Sequence, residues 1–118
     1  MQLPPVKVSE SQIQRAVFQH LRLRALPDVV AYHPANGGQR SKAEAGRFRA
    51  EGVTPGIPDV ALVIGGSAYF LELKTAKGRL SPVQVDMHQR LVRARAEVAV
   101  AHSLDDAIAQ LVRWGAMR

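Results

Sequence analysis

Apolar residues recur along this chain in short patterned stretches, and the period of each stretch predicts an element. Ile13, Ala16, Val17 and Leu21 return every three or four residues, the spacing of a helix that buries one face. Ser9, with Gln12 three residues later, has the form of a capping box, so a helix is expected over 9–26. Pro27 and Asp28 stop it, and VVAYH at 29–33 is a short β-rich run that predicts a strand. PANGGQR at 34–40 is turn chemistry. A second helix is expected over 41–51, ended by Gly52, and VTPGIP at 53–58 is an extended connector. Two apolar runs, 59–64 and 67–74, flank Gly65-Gly66, a strong signal for a hairpin. Ser81, Pro82 and Gln84 occupy the N-cap, first and third positions of a helix that runs to about Arg95. EVAVAH at 97–102 alternates as a strand does. Ser103 and Asp106 open a last helix, closed by Gly115.

The order is α-β-α-β-β-α-β-α. It predicts an α/β fold in which a mixed central sheet is flanked by helices. With 118 residues there is material for one core, so residues 9–118 are expected to form a single domain after a loose N-terminus at 1–8.

Composition changes this picture in one respect. An apolar fraction of 47% and a charged fraction of 22% are those of an ordinary globular domain, with no run long enough for a membrane span and no signal segment opening the chain. No cysteine is present, which removes disulfides and thiolate metal sites and makes an intracellular setting the expectation. The charge is more telling. Sixteen Lys and Arg against ten Asp and Glu give +6, a field that attracts a polyanion, nucleic acid first. A basic surface with no such partner is the plain alternative.

Three charges interrupt the apolar hairpin, where more Val or Leu would suit a core. A two-residue turn at Gly65-Gly66 sets Ile64 opposite Ser67, Leu62 opposite Tyr69 and Asp59 opposite Glu72. Side chains alternate along a strand, so Glu72 and Lys74 share one face while Leu71 and Leu73 share the other. Two carboxylates opposite each other repel unless something intervenes. A cross-strand salt bridge with Lys74 is one answer, and a proton shared between the acids is another. The third is a divalent cation on oxygen ligands, which removes the repulsion outright. Phosphodiester hydrolysis favours the third: carboxylate-held Mg²⁺ or Mn²⁺ neutralises the phosphoryl oxygens, and an ammonium adds a second positive contact.

These residues carry a resemblance. GIPD at 56–59 followed by ELK at 72–74 resembles the PD-(D/E)XK nuclease superfamily, and within it the virus-type replication-repair nuclease (VRR-NUC) domain. Glu10 with Gln14, HPANGG at 33–38, GVTPGIPDV at 52–60 and LSPVQ at 80–84 support it, over a span from about residue 9 to the last helix. D…ExK alone arises often by chance; the ordered set is far more specific.

The resemblance implies a restriction-endonuclease-like core and a Mg²⁺- or Mn²⁺-dependent DNA endonuclease acting on branched or structured DNA. It makes Asp59 and Glu72 the principal metal ligands, with the Leu73 carbonyl adding an oxygen and Glu10 joining directly or through water. Lys74 would orient or help deprotonate the attacking water, and Gln84 would hold substrate or Lys74. Glu10 is also what a helix start favours, and Gln84 what a capping box requires. His33 reads as structural and His88, four residues beyond Gln84, as a solvated helix position. Arg40, Lys42, Arg47 and Arg49 before the acids, and Lys77 and Arg79 after Lys74, are candidates for contacting DNA phosphates. One Trp and two Tyr make no evident stacking platform. A homodimer and a cytoplasmic, bacterial or phage setting are expected on the same ground. The rival reading is a non-catalytic DNA-binding module on the same fold.

Overall fold

The computed structural model of the chain describes residues 7–35 and 41–118. Its elements follow the expected order: α1 (Glu10–Arg24), β1 (Val29–Tyr32), α2 (Lys42–Ala50), β2 (Val60–Ile64), β3 (Ser67–Leu73), α3 (Pro82–Arg93), β4 (Glu97–Ala101) and α4 (Leu104–Arg113). The strands form one sheet in the order β1-β2-β3-β4, antiparallel except between β3 and β4, which run parallel. The fold is α/β with a mixed sheet flanked by helices.

Local chemistry sets most element ends. Ser9 and Gln12 close the capping box at α1, and Ser81 and Gln84 close another at α3 with Pro82 in the first turn. Helix α1 stops earlier than its pattern predicts. Ala25 turns extended and bridges to Met117, and Leu26 donates to the Ala116 carbonyl, so pairing with the C-terminal segment outcompetes another half-turn of helix. Helix α3 ends at Arg93, two residues short of expectation, because Arg95 takes a left-handed φ of 73°.

The hairpin register is the one the glycine pair predicts. Gly65 and Gly66 both adopt positive φ, 57° and 81°, as a tight turn between twisted strands requires. Ile64 then pairs with Ser67, Leu62 with Tyr69 and Val60 with Leu71. Val60, Leu62, Leu71, Leu73 and Ala101 fall on one face, where Ile13, Val17 and Leu21 of α1 and Ala107 and Leu111 of α4 bury them. Trp114 belongs to this core, its ring tilted against Tyr69 at 5.1 Å, which makes it a packing residue.

Helix α3 connects the parallel strands β3 and β4 and packs on the opposite face of the sheet. That placement follows from alternation: Glu72 points away from Leu71 and Leu73, and it is Glu72 that α3 meets. Helix α2 differs from the others in burying no residue at all, which leaves Lys42, Arg47 and Arg49 exposed.

One close approach ties the connector before β2 to α3. Gly56 has φ of 79°, and a Cβ there would stand 2.6 Å from the Val83 carbonyl oxygen. Backbone strain and a displaced helix start are both expected from Gly56→Ala. Urea unfolding should show a loss of about 1–3 kcal/mol, whereas Gly46→Ala, with nothing within 4 Å of the added methyl, should cost nothing.

Candidate functional site

The site lies where β2 begins and β3 ends. Asp59 is one residue ahead of the β2 ladder and Lys74 one residue beyond β3, so both are anchored by strands without being inside them. Asp59 Oδ2 accepts a hydrogen bond from the Leu73 amide at 2.8 Å, continuing the hairpin pairing through a side chain. His33, at the end of β1, lies 2.6 Å from the Asp59 carbonyl through Nδ1. A carbonyl only accepts, so Nδ1 must donate, and His33 is a bolt on Asp59's backbone. That agrees with the structural role expected for it.

Glu72 is the unusual member. It is 1% exposed, and apart from Lys74 and His88 no other polar or charged residue among the described ones is buried. Its carboxyl is pushed up to about 9, first by burial, then by a hydrogen bond with Asp59 and by the Asp59 charge, with Glu10 adding to the push and Lys74 opposing it. That direction favours a protonated Glu72 beside Asp59 in the metal-free protein, in keeping with the proton-sharing alternative. The salt-bridge reading has no such support: among the described residues Lys74, 7% exposed, forms no ion pair with Asp59 or Glu72, although its charge is felt by Glu72.

Expectation and structure part at His88. A solvated helix position was expected, yet His88 is 9% exposed and its Nε2 stands 3.0 Å from Glu72 Oε1. Its imidazole is held below the usual histidine range, first by burial and then by the Lys74 charge, with Asp59 acting against both. The signal was available. Gln84, Met87, His88 and Leu91 have helical spacing, and the pair Met87–His88 is the buried stripe of α3.

The remaining candidates separate. Glu10 is exposed at the first turn of α1, close enough for its charge to reach Glu72. Gln84 has its Oε1 on the Ser81 amide at 2.9 Å, so the cap occupies that oxygen and only the amide nitrogen is left for another contact. Leu73 presents its amide to Asp59, and its carbonyl remains a candidate ligand. Lys42, Arg47, Lys77 and Arg79 are all exposed, and Arg40 lies outside the described residues. Downstream of Lys74 the loop is fixed at Gly78, whose carbonyl takes a hydrogen bond from His102 Nε2 at 3.2 Å.

Whether a cation fits is a question for Asp59 and Glu72. Among the described residues no group of three or more His, Cys, Asp or Glu side chains is gathered tightly enough to hold a metal alone. Two neighbouring carboxyls, one of them buried and pushed toward its protonated form, are, however, a donor pair that a divalent ion suits, since it offsets their repulsion. Backbone oxygen and water would complete its shell. Among the described residues no helix is long and apolar enough to cross a membrane.

The described residues thus form a mixed sheet flanked by helices, with two acids and a lysine at adjacent strand ends. Comparison with solved structures makes that specific. The chain matches one described as a VRR_NUC domain protein with a TM-score of 0.77, over 93% of this chain and 90% of that one, at 18% identity. A second, described as a VRR_NUC domain, matches with a TM-score of 0.60 over 91% and 97% of the two chains at 17% identity. A scan against protein-family models and a search of curated proteins returned no match. The chain thus has the VRR-NUC fold over nearly its whole length.

The raised carboxyl has a measurable consequence. A group whose folded value lies above its unfolded one stabilises the fold below the unfolded value and loses that stabilisation as pH climbs through the folded one. For Glu72 the window is 4.5 to about 9. His88 has the opposite slope below its ordinary 6.5, being lowered. Melting of the metal-free protein should therefore fall between about pH 6.5 and 9. Glu72→Gln should flatten the curve, and an unchanged slope in that variant would refute the assignment.

Proposed function

We propose that this protein is a metal-dependent DNA endonuclease that hydrolyses phosphodiester bonds in branched or structured DNA. The observation that carries the reading is the buried Glu72 pressed against Asp59 at neighbouring strand ends, with Lys74 one residue past the strand. Such a pairing weakens the fold of a metal-free protein at neutral pH, and a cation ligand set gives it a use. The VRR-NUC fold supports a nuclease-type chemistry.

Mg²⁺ or Mn²⁺ held by Asp59, Glu72 and the Leu73 carbonyl would supply neutralisation of the charge that develops on the phosphoryl oxygens. Glu10 stands in solvent at the start of α1, where it can join through water. The Lys74 ammonium, unpaired with either acid, is available to orient the attacking water and to meet the transition-state charge. Lys42, Arg47, Lys77 and Arg79 would hold backbone phosphates, with Arg40 beside them in sequence. The net charge of +6 supports this use. The absence of cysteine accords with a cytoplasmic setting.

The test is a panel of linear, flapped and four-way DNA incubated with Mg²⁺, Mn²⁺ or chelator. Cutting should require the metal, and Lys74→Ala should lower the rate by about 10²–10³-fold while leaving DNA affinity unchanged. Equal rates in variant and wild type would defeat the proposal. Binding without cutting of any substrate would instead leave a non-catalytic DNA-binding module.

We extend the proposal to a homodimer, because a two-fold pair would fix two active sites at one separation and allow both strands of a junction to be cut. Sedimentation should give twice the chain mass with and without DNA. A monomer in both conditions would remove this part alone.

A further inference from the structure

We propose that His88 is the positioning residue of the site: its Nε2–H holds Glu72 Oε1, so that the carboxylate stays aimed at Asp59 and the cation between them. This rests on the metal-dependent reading above and adds to it a residue that faces Glu72 from α3. Three observations carry it. Glu72, Lys74 and His88 are the buried polar and charged side chains among the described residues, and the Lys74 charge acts on both of the others. The Nε2–Oε1 separation is 3.0 Å, with both side chains nearly closed to solvent at 11% and 2%. The Asp59 charge also reaches Glu72, so the same carboxyl meets both the other acid and the imidazole.

The direction of the bond follows from what each group can do. A carboxylate that ligates a cation has no proton and only accepts. His88 must then donate from Nε2, which leaves Nδ1 without a proton. A buried carboxylate with one fixed oxygen loses its freedom to rotate, and such outer contacts commonly set metal affinity by about 10–100-fold. Lys74 cannot take this role, since it makes no ion pair with Glu72. Nor can Gln84, whose Oε1 is engaged by the helix cap and whose amide nitrogen is one turn further up α3.

The surroundings decide which variants are informative. His88 also lines an open cleft between α3 and β4, together with Val92, Val98 and Val100. A shortened side chain would admit water from that cleft, and water can donate in place of the imidazole. His88→Leu keeps the volume and removes the donor. His88→Gln restores an N–H at similar reach, its amide nitrogen standing where Nε2 stood.

Titration calorimetry with Mn²⁺ alone, on the full chain, reads the effect directly. His88→Leu should weaken Mn²⁺ binding by about tenfold or more, and His88→Gln should recover most of the loss. Metal-free melting temperatures report the structural part of the contact, and a purely structural role would separate the two variants there and not in Mn²⁺ affinity. Should His88→Leu fail to fold, His88→Met, which fills similar space and has no donor, takes its place. Wild-type affinity in His88→Leu, or equal weakness in Leu and Gln, overturns this inference while leaving the nuclease reading intact. A wild type that takes up no Mn²⁺ and cuts no DNA overturns both.

Discussion

Two carboxyl groups held together against their own repulsion are the constraint around which this structure is organised. The ammonium nearby offsets the repulsion only in part: its charge opposes the push on Glu72, but Lys74 forms no ion pair with either acid. Burial first, and then Asp59, push the Glu72 carboxyl far above an ordinary glutamate, which favours its protonated form when no metal is present. Maintaining such a contact requires rigid support on each side. Asp59 has it from the Leu73 amide and from His33, and Glu72 has it from β3 and from His88. The hairpin turn supplies the register that makes them neighbours. A one-residue slip would send Glu72 into the face occupied by Leu71 and Leu73 and dissolve the site.

The sheet separates stability from chemistry. On one face, α1 and α4 close over Leu62, Leu71 and Leu73, and nearly all large buried apolar side chains are there. On the other, α3 covers the sheet only around Glu72 and β4, and what it buries is a methionine and a histidine. From the core side, the charge of Glu10 in the first turn of α1 reaches Glu72. A strained polar group can therefore be tolerated on the α3 face: the favourable burial that offsets it lies elsewhere in the molecule.

Features that depend on near neighbours in sequence were legible there. The Ser9–Gln12 and Ser81–Gln84 boxes, the two-glycine turn and the hairpin register that the turn sets are all encoded in near neighbours. The resemblance to VRR-NUC domains, resting on GIPD and ELK, pointed to the fold that the solved structures share. What was not legible is what depends on packing between distant segments. The burial of His88 needs α3 to dock on β3, and the shortened end of α1 needs Met117 to arrive from the far end of the chain. Helix α2 was readable as a helix from its cap, but nothing local says that it would bury no side chain.

The distribution of charge by depth gives the remaining step. Glu72, Lys74 and His88 are enclosed, while Lys77 and Arg79, within five residues of Lys74 in the chain, are in solvent. Salt screens exposed charges over roughly 8–10 Å at physiological strength and buried ones far less. Attraction of a polyanion to the exposed residues is then sensitive to ionic conditions, whereas the field inside the site, set by enclosed groups, is not. One short stretch of chain from β3 into the loop fixed by His102 thus carries both kinds of charge. The buried kind requires a strand for its exactness of placement; the exposed kind needs only to be near. That difference explains why the acids and Lys74 stand at strand ends, and why the basic residues that follow can occupy a loop.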